Sequence, residues 1–114
     1  MDTPALFQAY REKMNKRILE SPSKVFKRFY ALDHQTYEAG ELNAKTKELI
    51  GLSASLVLRC DDCVKYHIGQ ALSVGATPGE LIEVFEISTV VGGSIVIPHL
   101  RRAMEYMDLC MEQA

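Results

Sequence analysis

Cys60 and Cys63 have two residues between them, His67 follows the second by four positions, and Glu48 lies upstream. Within a helix, residues four apart differ by about 40° around the axis, so Cys63 and His67 would share a face one turn apart. An imidazole so placed can exchange a proton with a thiol directly or through one water. Only the thiolate attacks peroxides or disulfides, and an ordinary thiol is mostly protonated near neutral pH. A nearby base and a helix N-terminus both raise the thiolate fraction. The second cysteine gives a dithiol able to close to a disulfide without large backbone motion. These residues point to redox chemistry. Spacing leaves open which cysteine attacks; thioredoxin-like logic favours the first, Cys60, as the more exposed.

Zinc is the competing use of the same residues. Cys60, Cys63 and His67 supply three ligands, and His99 or Cys110 a fourth, but the usual second ligand pair at short spacing is missing. A c-type haem is excluded because Val64, not histidine, follows Cys63. Cys110 falls between Met107 and Met111 and reads as a small buried hydrophobe. His34, beside Asp33, reads as a surface or interface residue. His99, after Pro98, can approach the site from a neighbouring helix or subunit, but no partner spacing supports it and a structural role is expected.

Glu48 needs positioning by two helices. In a simple hairpin turning near Cys60, Glu48 lies about 17 Å back along one arm and His67 about 10 Å along the other. Contact across that one-turn offset requires a suitable crossing angle or a bridging water. The residues alone favour a solvated glutamate near Lys45 or Lys47.

The elements that would carry these groups are helical. Thr3-Pro4 starts a helix to about Glu20, with Leu6, Tyr10, Met14 and Ile18 or Leu19 as its apolar stripe. Ser21-Pro22 stops it and starts a second helix, through Phe26 and Phe29 to Ala39, with Gly40 as a left-handed stop. Asn43 caps a third helix to about Leu58. There Glu48, Leu52, Ser55 and Arg59 form one stripe, and Leu49, Ile50, Leu56 and Val57 lie toward the core. A break near Arg59-Cys60 opens a fourth helix, with Asp61 and Asp62 in its first turn, ending at Gly75. Thr77-Pro78-Gly79-Glu80 is a capping box opening a fifth helix to Gly92-Gly93. The last segment, from Ser94, starts its helix near Pro98 or is kinked there, burying Leu100, Ala103, Met104, Met107 and Met111. No sustained period-two alternation occurs, and β-branched residues cluster only at Val90 to Val96. The expectation is all-α, a single-domain bundle of about six helices spanning residues 1–114.

Composition sets outer bounds. The chain of 114 residues supports one modest core, and 47% apolar against 25% charged residues leans apolar for that size. Some apolar surface is therefore expected between subunits. A net charge of -2 with scattered basic residues gives no reason to propose nucleic acid or an anionic membrane as partner. Met1 to Gln8 lacks the pattern of a signal peptide, and no apolar run is long enough to span a membrane, so a cytoplasmic location is expected. Three cysteines argue against a secreted disulfide framework.

Glu48, eleven residues, Cys60-Asp61-Asp62-Cys63, three more and His67 together resemble the active-site signature of the alkylhydroperoxidase D-like group within the carboxymuconolactone decarboxylase family. The resemblance extends through the apolar helix before the cysteines, Gly75-Ala76-Thr77 and Gly92-Gly93, covering roughly residues 24 to 110. It implies that Cys63 meets the peroxide with help from His67. Cys60 would then resolve the sulfenic acid to a disulfide, and Glu48 would complete a proton relay. No metal or organic cofactor is implied. A partner dithiol, by precedent on a lipoylated protein, would reduce the disulfide. A homo-oligomer, hexamer before trimer, is implied as well. Asp62 stands where the group's best-known peroxidase has histidine. An acidic neighbour opposes thiolate formation, and Lys65 and Arg59 are the cations that can offset it.

The expected function is an oxidoreductase reducing hydroperoxides or disulfides through the Cys60/Cys63 dithiol. Two others compete with it. A lactone decarboxylase would rely on His67 and Glu48 and leave the dithiol idle. A non-catalytic redox-sensing or oligomeric binding module would consume peroxide at most once per dithiol.

Overall fold

The computed structural model describes residues 3–113. Met1, Asp2 and Ala114, counted in the single domain expected above, lie outside the described residues. Among the described residues there are six α-helices: α1 (Pro4–Leu19), α2 (Lys24–Thr36), α3 (Ala44–Val57), α4 (Asp61–Ser73), α5 (Pro78–Gly92) and α6 (Ile97–Glu112). A 3-10 turn, Ser94–Val96, leads into α6, so the β-branched run at Val90 to Val96 forms no strand. The all-α, six-helix expectation holds. The helices fall into two compact units, one up to Glu38 and one from Ala39 onward.

The first unit is α1 and α2. Thr3 caps α1, its hydroxyl accepting the Leu6 N–H at 3.2 Å, with Pro4 in the first turn as expected. The buried residues of α1 are Pro4 and Phe7, whereas Leu6 and Tyr10 of the expected stripe are exposed. Ser23, not Ser21, caps α2, accepting the Phe26 N–H at 3.3 Å, so the helix starts beyond Pro22. It also ends earlier than expected. Tyr37 and Glu38 bond to the carbonyls three residues back, tightening the last turn before Gly40, which does not take a left-handed conformation. The hydroxyl of Tyr30 donates to Asn15 Oδ1 at 3.0 Å, tying the two helices together. No residue of α2 is buried; Val25, Phe26, Phe29 and Leu32 form an exposed apolar face.

The second unit is built on α3, which packs against α4 and α5, while α4 also packs against α6. Asn43 caps α3, accepting the Thr46 N–H at 2.8 Å. Its buried face is Glu48, Leu52, Ser55 and Leu56, while Ile50, expected toward the core, is 53% exposed. Leu52 and Leu56 meet a core that includes Ile68, Leu81, Phe85 and Val96. The capping box of α5 is complete: Thr77 Oγ1 accepts the Glu80 N–H at 3.1 Å and Glu80 Oε1 accepts the Thr77 N–H at 2.9 Å. A Cβ at Gly92 would run into Val96, so glycine there lets the 3-10 turn fold back on α5. Pro98 sits in the first turn of α6, where a missing N–H costs no helix bond, and the helix starts there. Tyr106 joins Ala103 and Met107 in its buried face, while Met111 is exposed.

Candidate functional site

Cys60 belongs to two helices at once. At the end of α3, Arg59 takes a left-handed conformation (φ 61°), a position usually given to glycine. The Arg59 N–H bonds to the Leu56 carbonyl at 3.0 Å and the Cys60 N–H to the Ser55 carbonyl at 3.1 Å. Those two bonds are the pair that closes a Schellman motif. Cys60 is then extended and caps α4, its sulfur accepting the Cys63 N–H at 3.3 Å. The CxxC therefore occupies the cap and first turn of a helix whose preceding chain direction is fixed. Cys60 and Cys63 are joined as a disulfide, with their Cα atoms 5.3 Å apart. Cys63 is exposed and Cys60 half-buried, the reverse of the exposure assumed for a first-cysteine attack.

One turn along α4, His67 is 7% exposed and Glu48 on α3 is 6% exposed. His67 Nδ1 and Glu48 Oε1 lie 2.8 Å apart. An ionised carboxylate only accepts, so Nδ1–H donates and Nε2 is the basic nitrogen of the neutral ring. Helix packing removes the axial offset of a simple hairpin, and no bridging water is needed. Glu48 is not the solvated residue that the residues alone favoured. Lys45 pairs instead with Glu80, at 2.9 Å.

Asp61, in the first turn of α4, is held from α6. Its Oδ1 lies 2.8 Å from His99 Nδ1, and its Oδ2 accepts from Arg102 Nε at 2.9 Å. Burial pushes the Asp61 carboxyl up, but the His99 and Arg102 hydrogen bonds and the Arg102 charge outweigh it and hold it below the usual 3.8. His99 thus approaches the cysteine helix through Asp61. Sequence patterning does not single out Arg102; the i,i+3 spacing of His99 and Arg102 on one face of α6 is its trace there. Asp62 is exposed, and Lys65 lies 5.9 Å over the Tyr106 ring. Cys110 is half-buried, and burial raises its thiol while a hydrogen bond with Tyr106 lowers it less. His34 is exposed.

Among the described residues, no three His, Cys, Asp or Glu side chains converge in a way that could hold a metal ion. An apolar groove of about 740 Å³ runs between α3 and α5 past Leu49, Ile50, Val57, Leu58, Ile87 and Val91. It does not reach the cysteines, His67 or Glu48. No described helix is long and apolar enough to cross a membrane.

The sequence model of the carboxymuconolactone decarboxylase family matches residues 23–106, which include the whole Glu48–His67 arrangement. The chain belongs to the carboxymuconolactone decarboxylase family. A crystal structure of a Thermotoga maritima protein is 47% identical, with a TM-score of 0.91 over 94% of each chain. A second Thermotoga maritima structure, 46% identical with a TM-score of 0.89, covers 93% of this chain and 90% of that one. It is described as a family protein with a possible involvement in the antioxidative response. A family protein from Legionella pneumophila shares the fold at 23% identity, with a TM-score of 0.69 over 91% of this chain and 86% of that one. An uncharacterised protein of Cupriavidus necator is 39% identical over 69 residues, 60% of this chain. That match spans 61% of the relative's own length.

Proposed function

We propose that the chain is a thiol-dependent oxidoreductase of the alkylhydroperoxidase D-like kind. In this reading it reduces hydroperoxides or disulfides through Cys60 and Cys63, with His67 and Glu48 as a proton relay. The observation that carries it is the buried His67–Glu48 hydrogen bond of 2.8 Å one helical turn from a closed Cys60–Cys63 pair. A general base oriented by a carboxylate beside a thiol is the arrangement that nucleophilic cysteine chemistry uses. The antioxidative association of the Thermotoga maritima relative supports the same reading.

With a hydroperoxide, the Cys63 thiolate attacks the outer peroxide oxygen. An S–O bond forms, the O–O bond breaks, and the leaving alkoxide takes a proton relayed by His67 to become an alcohol. The Cys60 thiol then displaces water from the Cys63 sulfenic acid, forming the disulfide. A partner dithiol, such as a lipoylated protein, gives up two electrons and two protons to restore both thiols and becomes a disulfide itself. The exposure of Cys63 supports its role as attacker. A cytoplasmic location, where such reductants act, fits this cycle.

A homo-oligomer, hexamer before trimer, is proposed alongside it. The exposed apolar face of α2 and the apolar groove between α3 and α5 each support a second copy covering surface that one chain leaves open.

The test is the intact mass of reduced protein before and after one equivalent of hydroperoxide, with Cys60→Ser and Cys63→Ser alongside. Loss of two hydrogens in the wild type, reversed by a dithiol, with a trapped sulfenic acid in Cys60→Ser alone, is the expected result. A native zinc mass lost in either variant would overturn it. No oxidation at all would leave a lactone decarboxylase or a binding module in its place.

A further inference from the structure

Three negative charges compete for the N-terminal end of α4: Asp61, Asp62 and whichever cysteine is ionised. A helix N-terminus favours an anion, and an uncancelled carboxylate in the same turn disfavours a second one. Asp62 is exposed to solvent, but Asp61 is not left to itself. Each of its two oxygens meets a donor from α6, His99 Nδ1 at 2.8 Å and Arg102 Nε at 2.9 Å. Arg102 Nη2 also comes within 3.1 Å of His99 Nδ1. With that nitrogen donating to the carboxylate, both α6 side chains are gathered round one shared anion. The Asp61 carboxylate is half-exposed and the Arg102 side chain about half-exposed, so solvent screens the cluster and its influence is modest.

We infer that His99 and Arg102 are positioning residues for the dithiol: by holding and neutralising Asp61, they let the first turn of α4 carry a thiolate. The thiol–disulfide balance of Cys60 and Cys63 is thereby set in part from α6. The inference rests on the dithiol reading above. Other charged groups on the elements around this turn include Glu48 on α3, engaged by His67, Lys45, engaged by Glu80, Lys47 on α3, Asp62 and Lys65 on α4, Arg101 and Glu105 on α6, and Arg59 in the connection. His99 and Arg102 engage the Asp61 carboxylate at both of its oxygens. The sign follows from the charge. Removing Arg102 uncovers a negative charge beside the cysteines, which lowers the thiolate fraction and favours the disulfide. Removing the carboxylate as well abolishes that effect.

The experiment uses the full chain equilibrated with mixtures of reduced and oxidised glutathione at pH 8. The dithiol and one glutathione disulfide exchange for the protein disulfide and two glutathione thiols, and intact mass after alkylation reads the ratio. The pH midpoint of iodoacetamide alkylation, mapped to each cysteine, is the second readout. Arg102→Gln is expected to shift the equilibrium about threefold toward the disulfide, the effect of one uncancelled charge at an exposed helix N-terminus. It is also expected to move the alkylation midpoint up by about half a pH unit. Asp61→Asn/Arg102→Gln returns both to the wild-type value or beyond. Asp61→Asn alone leaves the Arg102 charge uncancelled and is expected to move both readouts the opposite way from Arg102→Gln, toward the dithiol and a lower midpoint. Unchanged readouts in Arg102→Gln and His99→Gln overturn the inference, and so does a double variant that stays as shifted as Arg102→Gln. If the wild type fails to exchange with glutathione at all, the dithiol reading itself has failed, which is a distinguishable result.

Discussion

His67 Nδ1 and Glu48 Oε1 meet at 2.8 Å, from adjacent helices and with both side chains buried. A carboxylate in that place fixes the imidazole tautomer and ring orientation and stabilises an imidazolium when one forms. Glu48→Gln keeps the size but not the charge. It is expected to slow oxidation of the cysteine pair by a hydroperoxide about 100-fold, the lower range of general acid–base catalysis. Single-turnover mass spectrometry would measure it. A rate within a factor of two of wild type would remove Glu48 from the relay. His67→Ala leaves the carboxylate buried and unpartnered, and should cost about 3 kcal/mol or more in urea unfolding.

The sequence carried the helices well, because their boundaries are written in local chemistry. Thr3-Pro4, Asn43 and the Thr77–Glu80 box each satisfy helix-end N–H groups with side chains a few residues away. Cys63 and His67 were legible for the same reason, as a spacing within one helix. Pairing of Glu48 with His67 was not derivable from spacing, since it depends on how α3 and α4 cross; only the family likeness pointed to it. Asp61, His99 and Arg102 were less legible still, because their meeting is 38 and 41 residues apart in the chain and needs α4 packed on α6. Apolar stripes misled at Ile50, Tyr10 and Met111, where periodicity marks an apolar residue without saying whether one chain has anything to cover it.

Arg59 offers a stability prediction with a clear sign. Its φ of 61° carries a penalty for any residue with a Cβ, and the hydrogen bonds that close the motif are all from backbone. Arg59→Gly should therefore raise the unfolding free energy by about 1 kcal/mol, and Arg59→Val should lower it. Urea titration of the reduced and oxidised forms would decide. A loss in Arg59→Gly would mean that the arginine side chain holds something more than the turn.

Glu80 joins the capping box to Lys45 on α3 and so ties α5 to the helix that carries Glu48. The Lys45 hydrogen bond first, and the Thr77 N–H second, hold its carboxyl below the ordinary 4.5. A depressed carboxyl contributes stability that is present above the unfolded value and is lost as pH falls through the folded one. The melting temperature of Glu80→Gln should fall below wild type at pH 7, and the gap should close as the pH drops below about 4. A constant gap would show that the charge has no part in it. Thr77→Ala, which removes the cap itself, should cost about 1 kcal/mol at either pH.

Cys110 separates thiol chemistry at the site from thiol chemistry elsewhere. It is half-buried, and burial raises its thiol, with the Tyr106 hydrogen bond offsetting only part of that. A raised thiol holds less thiolate at neutral pH and reacts slowly with alkylating agents. In fully reduced protein treated with limiting iodoacetamide at pH 7, peptide mapping should find the exposed Cys63 labelled well before Cys110. Cys110→Ala should keep the full two-hydrogen loss with peroxide, because Cys60 and Cys63 close on each other without it. Early labelling of Cys110, or a mixed disulfide that includes it, would make the third cysteine part of the redox chemistry.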